Sequence, residues 1–109
     1  MTVLELQEKT QWACLSDPGN HHEIHSVFTG DLLSYVMGHA LADQAWVTMQ
    51  THQNVIAIAA LKDLACVILI DENQPDEDAL SSAKEHEIPI LISPLSAYET
   101  IKTLVNLGL

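Results

Sequence analysis

The run Ala65-Cys66-Val67-Ile68-Leu69-Ile70 is apolar at every position and rich in β-branched side chains. A strand that meets water on one face alternates polar and apolar residues, because successive side chains point to opposite faces. A strand without that alternation has to be covered on both faces, as in a parallel sheet held between helices. Two further runs repeat the pattern: Ala45-Trp46-Val47-Thr48-Met49, and Ile88-Pro89-Ile90-Leu91-Ile92. Pro89 sits near the start of its run, where a missing N–H is tolerated. No tight turn joins one run directly to the next. Strands linked through helices make right-handed crossovers and hence a parallel sheet. The expectation is an α/β fold of three layers, α/β/α. Its sheet is mainly parallel with four to five strands, and residues 1–109 form a single domain.

The helices are read from caps and periodicity. Thr2 and Glu5 have the spacing of a capping box and open a first helix over residues 2–10. Trp12 to Leu15 reads as a short strand, Ser16 to Asn20 as a turn, and His21 to Gly30 as extended or irregular chain. Asp31 is placed to cap a second helix, in which Leu32, Leu33, Val36, Met37, Ala40 and Leu41 recur at one-turn spacing as a core-facing stripe. Val55-Ile56-Ala57-Ile58-Ala59-Ala60-Leu61 is apolar throughout and fits a buried strand or a buried helix; its alanines favour a helix from residue 51 or 52 to residue 63. Asp76 to Glu85 forms a helix with an acidic first turn, and Ser96 and Glu99 open a last one that stops at Gly108.

Charge excludes several functions. Fifteen acidic residues against four lysines give a formal net charge of −11. Nucleic acid and anionic membrane surfaces both call for the opposite sign, so neither is an expected partner. No apolar run approaches the roughly 18 residues of a membrane-spanning helix. The first ten residues lack a basic segment followed by an apolar one, so a cytoplasmic location is expected. Cys14 and Cys66 are far apart and read as reduced structural thiols.

Several stretches together resemble a known family. They are Gly30-Asp31-Leu32-Leu33-Ser34, the segment Trp46 to Ala57 that contains Thr51-His52-Gln53-Asn54, Leu61-Lys62-Asp63-Leu64-Ala65, and Ile88-Pro89-Ile90-Leu91. They look like the DRTGG domain over nearly the whole chain. The signature that names the family is absent: the segment that should carry it reads His21-His22-Glu23-Ile24-His25-Ser26-Val27. The resemblance implies a small α/β module similar to the N-terminal domain of HPr kinase/phosphorylase. Such modules occur alone or inserted in larger proteins, including pyrophosphatases with regulatory CBS domains, where the module resembles a dimerisation element. No catalytic residue carries over from the resemblance.

The residues suggest limited chemistry of their own. Glycines 19, 30, 38 and 108 are scattered, the lysines form no cluster, and there is no arginine, so a phosphate cradle for a kinase is not expected. His21, His22, Glu23 and His25 are metal-type ligands, but their spacing matches no standard zinc site; no metal and no cofactor are expected. Thr51, His52, Gln53 and Asn54 fall where a strand ends and a helix begins. Free N–H groups there favour an anion, so with Gly30 and Asp31 they are candidate ligand residues for a nucleotide or phosphorylated metabolite. The plainer alternative is that Thr51 and Asn54 cap the helix and His52 and Gln53 serve a subunit interface.

The leading expectation is a non-enzymatic regulatory or assembly module that acts as a homodimer, with no protein partner that the sequence names. A small-molecule sensor is the alternative, and an enzyme of unknown reaction the weakest. The dimer argument rests on Gln53 to Leu61. A helix there is apolar all round, and a sheet covers only one side of it, so Val55, Ile58 and Ala59 are expected at a two-fold interface.

Overall fold

A computed structural model describes residues 1–16 and 22–109. Its elements in chain order are α1 (Val3–Thr10), β1 (Ala13–Cys14), β2 (Ser26–Thr29), α2 (Leu33–His39), β3 (Gln44–Thr48), α3 (Gln53–Leu61), β4 (Cys66–Leu69), α4 (Glu77–His86), β5 (Ile90–Ile92) and α5 (Ala97–Asn106). The five strands form one sheet in the order β1-β5-β4-β3-β2. The pairs β2·β3, β3·β4 and β4·β5 are parallel, and β1 runs antiparallel to β5 with Ala13 opposite Ile92. The expected α/β architecture is present, with five strands and one antiparallel edge.

The winding follows from the order. Strands β2 to β5 lie side by side in chain order, so successive right-handed crossovers place α2, α3 and α4 on the same face. Helices α1 and α5 cover the other. The two cores show the pleat directly. Trp46, Val67, Leu69 and Ile90 pack with Val36, Val55, Ile56, Ala79 and Ala83 on one side. Their neighbours Ala45, Val47, Cys66, Ile68 and Leu91 pack with Val3, Leu6 and Leu104 on the other. Every residue of β3, β4 and β5 is buried, as the absence of polar alternation requires.

Local chemistry sets several ends. Thr2 and Glu5 complete a reciprocal capping box, and Gln11 closes α1 in the left-handed conformation. Ser96 caps α5 through the Glu99 N–H, and Gly108 follows the helix at φ 97°. The segment 53–61 is a helix.

One expectation is sharpened and two are corrected. Residues 26–29, within the stretch read as extended or irregular chain, are extended and form the outer parallel strand of the sheet. Asp31 does not cap α2; Leu32 holds that position without a side-chain bond, and Asp31 is occupied elsewhere. The α2 stripe is only half used. Val36 and Ala40 are fully buried, whereas Met37 is 38% exposed, Leu41 66% and Leu32 68%. A helix of seven residues at the margin of the sheet has too little covered surface for six apolar side chains. Residues 17–20 of the turn expected at Ser16 to Asn20, and His21, lie outside the described residues.

Candidate functional site

The carboxyl ends of β2 and β3 are stapled together. The Gly30 N–H donates to the Val47 carbonyl (3.2 Å), and the Trp46 indole N–H donates to the Gly30 carbonyl (2.9 Å). Asp31 Oδ1 accepts from the Thr48 hydroxyl and from the Met49 N–H, each at 2.8 Å. Gln50 Nε2 donates back to the Asp31 carbonyl (3.1 Å). Because β2 and β3 are parallel neighbours, Gly30–Asp31 and Thr48–Thr51 lie at the same end of the sheet, as a shared site would require.

The start of α3 follows at once. His52 is its N-cap, and His52 Nδ1 accepts from the Asn54 N–H (3.1 Å). That role needs an unprotonated Nδ1, so the neutral ring carries its proton on Nε2. Thr51 does not cap the helix. Its carbonyl accepts from the Asp76 N–H (3.0 Å), and its hydroxyl donates to Asp76 Oδ1 (3.3 Å). Gln53 and Asn54 are exposed at the first turn. The helix start therefore sits between two carboxylates, Asp31 and Asp76. Lys62 follows the far end of α3 and Lys84 lies in the last turn of α4, so neither brings positive charge here. A free anion meets favourable N–H groups and unfavourable carboxylates at this place.

A groove of about 380 Å³ runs between α2 and α3, lined by Leu33, Ser34, Met37, Asn54, Ala57 and Ile58. The residues expected at a dimer interface are placed differently by the fold. Val55 is 2% exposed, Ala59 0% and Ile58 7%. All three pack in the chain's own core, because α2 and α4 flank α3 and the sheet lies beneath it. The expectation that only the sheet covers α3 is thus overturned. Ile58 reaches only the floor of the groove, while Ala57 and Leu61 are the apolar residues α3 leaves exposed, Leu61 at 71%. The signal for this face was in the sequence: between Asp31 and Lys62 the only charged residue is Asp43.

The histidine cluster is arranged differently from an alternating strand. His22 Nε2 lies 2.7 Å from Asp43 Oδ1, and His25 Nδ1 lies 3.6 Å from Asp43 Oδ2. The two histidines meet at one carboxylate rather than pointing apart, while Glu23 pairs with the chain's amino group at 3.0 Å. Among the described residues, no group of three or more His, Cys, Asp or Glu is placed to hold a metal ion. Nor, among them, is any helix long and apolar enough to cross a membrane.

The model of the DRTGG domain matches residues 6–107. The chain belongs to the DRTGG domain family. A comparison with curated proteins gave no match. Among solved structures, one similar chain is described as the CBS and DRTGG domains of the regulatory region of Clostridium perfringens pyrophosphatase, complexed with activator, diadenosine tetraphosphate. It superposes with a TM-score of 0.70 at 9% identity, over 93% of this chain and 44% of that one. The likeness is one of fold, and the present chain spans less than half the length of that region. This chain thus ties Asp31 to Thr48, Met49 and Gln50, immediately before Thr51–Asn54, even though it lacks the family signature at residues 21–27.

Proposed function

We propose that this DRTGG domain is a non-enzymatic regulatory module that works as a homodimer through the α2–α3 face. The observation that carries the reading is the charge-free apolar surface there. Met37, which lines the groove of about 380 Å³, and Leu61 are 38% and 71% exposed. Leu61 lies one turn beyond Ala57 and Ile58, so it extends the α3 wall of that groove. Contiguous exposed apolar surface of this kind marks interfaces. In a chain of net charge −11, two copies repel each other through most approaches. The approach through residues 32–42 and 53–61 brings no carboxylate of those segments against another. A two-fold contact through one patch is the commonest closed arrangement.

Sedimentation equilibrium at micromolar concentration tests the reading. A dimer of about twice 12.0 kDa is expected, split by the double substitution Leu61→Asp and Met37→Asp with the circular dichroism spectrum retained. A monomer, or a dimer indifferent to that pair, refutes it. Ile58→Asp is unsuitable, because Ile58 belongs to the protomer's own core.

A second reading has its own support. The adjacency of Gly30–Asp31 and Thr51–Asn54 suits a sensor of a nucleotide or phosphorylated metabolite, and the structural neighbour was solved with a dinucleotide activator. Thermal shift with diadenosine tetraphosphate addresses it. At 100 times its dissociation constant a ligand adds about 2.7 kcal/mol of stability. A shift lost in His52→Ala supports a site at α3, and silence at millimolar concentration counts against it.

A further inference from the structure

We propose a second site, for a small organic cation, in the cavity where α1 meets the carboxyl ends of β4 and β5. In open α/β sheets, ligands lodge outside the carboxyl ends of the strands where neighbouring loops leave toward opposite faces. In this fold that place is not at β3. The chain leaves β2, β3 and β4 toward the same face, into α2, α3 and α4; only after β5 does it turn to the other face, into α5. The chain after β4 and the chain after β5 therefore go on to opposite faces of the sheet, once past the bonds that join their first residues. A cavity of about 370 Å³ lies beside them, at the small end of the range of about 300–1,000 Å³ typical of ligand sites.

The loops themselves explain where the opening falls. The Asp71 N–H donates to the Leu95 carbonyl (2.8 Å), and the Glu72 N–H donates to the Ser93 carbonyl (2.9 Å). These bonds close the gap directly between β4 and β5. The space that remains is on the outer side of β5, where the end of α1 and the start of β1 form the opposite wall. Asp71 and Glu72 are both left-handed, at φ 53° and 56°, a backbone that side chains rarely adopt and that holds Glu72 at the rim.

The lining specifies the occupant. Trp12, Ile92, Pro94 and Leu95 supply apolar surface, and Gln11 and Gln74 neutral amides. Among the described residues of the lining, Glu72 is the only charged side chain. The carboxyl end of α1 adds partial negative charge from its last carbonyls. None of the four lysines is among the lining residues; Lys9, on the last turn of α1, lies outside them. An anion finds neutral amide donors here but no lysine to balance Glu72. A compact molecule with an apolar body and a protonated amine or guanidinium fits, its cation at Glu72 and its body against Trp12 and Leu95. The site lies at the β1–β5 side of the sheet, away from the α2–α3 groove, and does not depend on the homodimer reading.

Nitrogen-15 NMR titration of the full chain tests the proposal, with phenethylamine and agmatine as probes and 3-phenylpropionate as the anionic counterpart. Saturable shifts are expected at the amides of Gln11, Trp12, Glu72, Gln74 and Leu95 with an amine and not with the carboxylate. Glu72→Gln should weaken binding by about tenfold or more, the loss of one charge-assisted hydrogen bond. Gln74→Lys, which places a competing cation at the rim, should abolish it; both side chains are exposed, and amide dispersion reports that the fold is kept. Shifts spread without saturation over the acidic surface would overturn the proposal. So would equal binding of the carboxylate, indifference to Glu72→Gln, or no shifts at all.

Discussion

Replacing Asp31 separates a structural staple from a ligand-binding residue. Asp31 Oδ1 receives two hydrogen bonds, from the Thr48 hydroxyl and the Met49 N–H. Thr48 is 1% exposed, so its hydroxyl proton has no water to turn to when that oxygen is removed. A buried donor left without an acceptor costs about 1–3 kcal/mol, and a hydrogen bond to a charged group contributes about 1.5–3 kcal/mol. Asp31 itself is exposed, which calls for the lower end of both ranges. Asp31→Ala should therefore destabilise the fold by about 2–3 kcal/mol. Asp31→Asn keeps a carbonyl acceptor in place of Oδ1 and should cost about 1 kcal/mol.

In a domain of this size, each kcal/mol moves the melting temperature by about 4 °C. Differential scanning calorimetry should then find a fall of roughly 10 °C for the alanine variant and about 4 °C for the asparagine one. Urea titration should show a shifted midpoint with an unchanged slope. If Asp31→Ala melts within about 2 °C of the parent, the staple is not holding the β2–α2 connection. In that case Asp31 would be free for a ligand, and the reasoning about its two bonds would be wrong.

Two further perturbations probe the sheet. Ser16 bridges the gap that Pro89 leaves: its hydroxyl donates to the Ile88 carbonyl and accepts from the Ile90 N–H (3.0 Å). Ser16→Ala leaves both backbone groups without this buried partner and should cost about 2 kcal/mol or more in urea unfolding; a loss under about 0.5 kcal/mol would contradict the bridge. Cys66 is fully buried in β4, and burial, with a smaller contribution from Cys14, pushes its thiol well above the ordinary thiol value of 9.0. The folded state therefore holds the proton that the unfolded chain releases. This contribution is complete below about pH 9 and is lost as pH rises beyond it, by up to about 1.4 kcal/mol per pH unit. Cys66→Ala should flatten that alkaline slope. In the native state Cys66 should stay unlabelled by a thiol reagent until the protein unfolds, while Cys14, partly exposed, reacts first.

The parts legible in the sequence are those that one kind of physics decides. Unbroken apolar runs predict strands covered on both faces, and β3, β4 and β5 are buried at every residue. Capping residues mark α1 and α5 because the bonds are local. Residues 26–29 were harder to read, since an edge strand of four residues carries little periodicity and takes its conformation from pairing with β3. The burial of α3 was misjudged for a related reason. Composition shows that a helix is apolar all round, but not which neighbours cover it, and here α2 and α4 do. Asp31 looked like a helix cap because the residue type and position were right; the actual acceptor role reaches 17 residues along the chain to Thr48. The cavity beside Trp12 joins residues 10–13, 72–74 and 92–95, a juxtaposition that no local pattern announces.

The same charge imbalance that directs the proposed dimer also predicts how the protomer responds to salt. Ion pairs contribute little attraction here. The pairs found among the described residues involve the amino terminus, His22 and His25, and none involves a lysine. Fifteen acidic residues on a body of 30 × 26 × 24 Å repel one another, and folding brings them closer than the extended chain does. At about 0.01 M ionic strength the Debye length is about 30 Å, so each carboxylate feels nearly all the others; at about 0.1 M it falls to about 10 Å, and only neighbours count. Stability should therefore rise with sodium chloride over that interval at pH 7, read as an increase in melting temperature, and the increase should shrink toward pH 4 as carboxylates take up protons. Monitoring Leu61→Asp together with Met37→Asp removes any contribution from tighter dimerisation. A melting temperature that falls with salt would mean that attractive pairs outweigh repulsion, and would refute the reasoning from net charge.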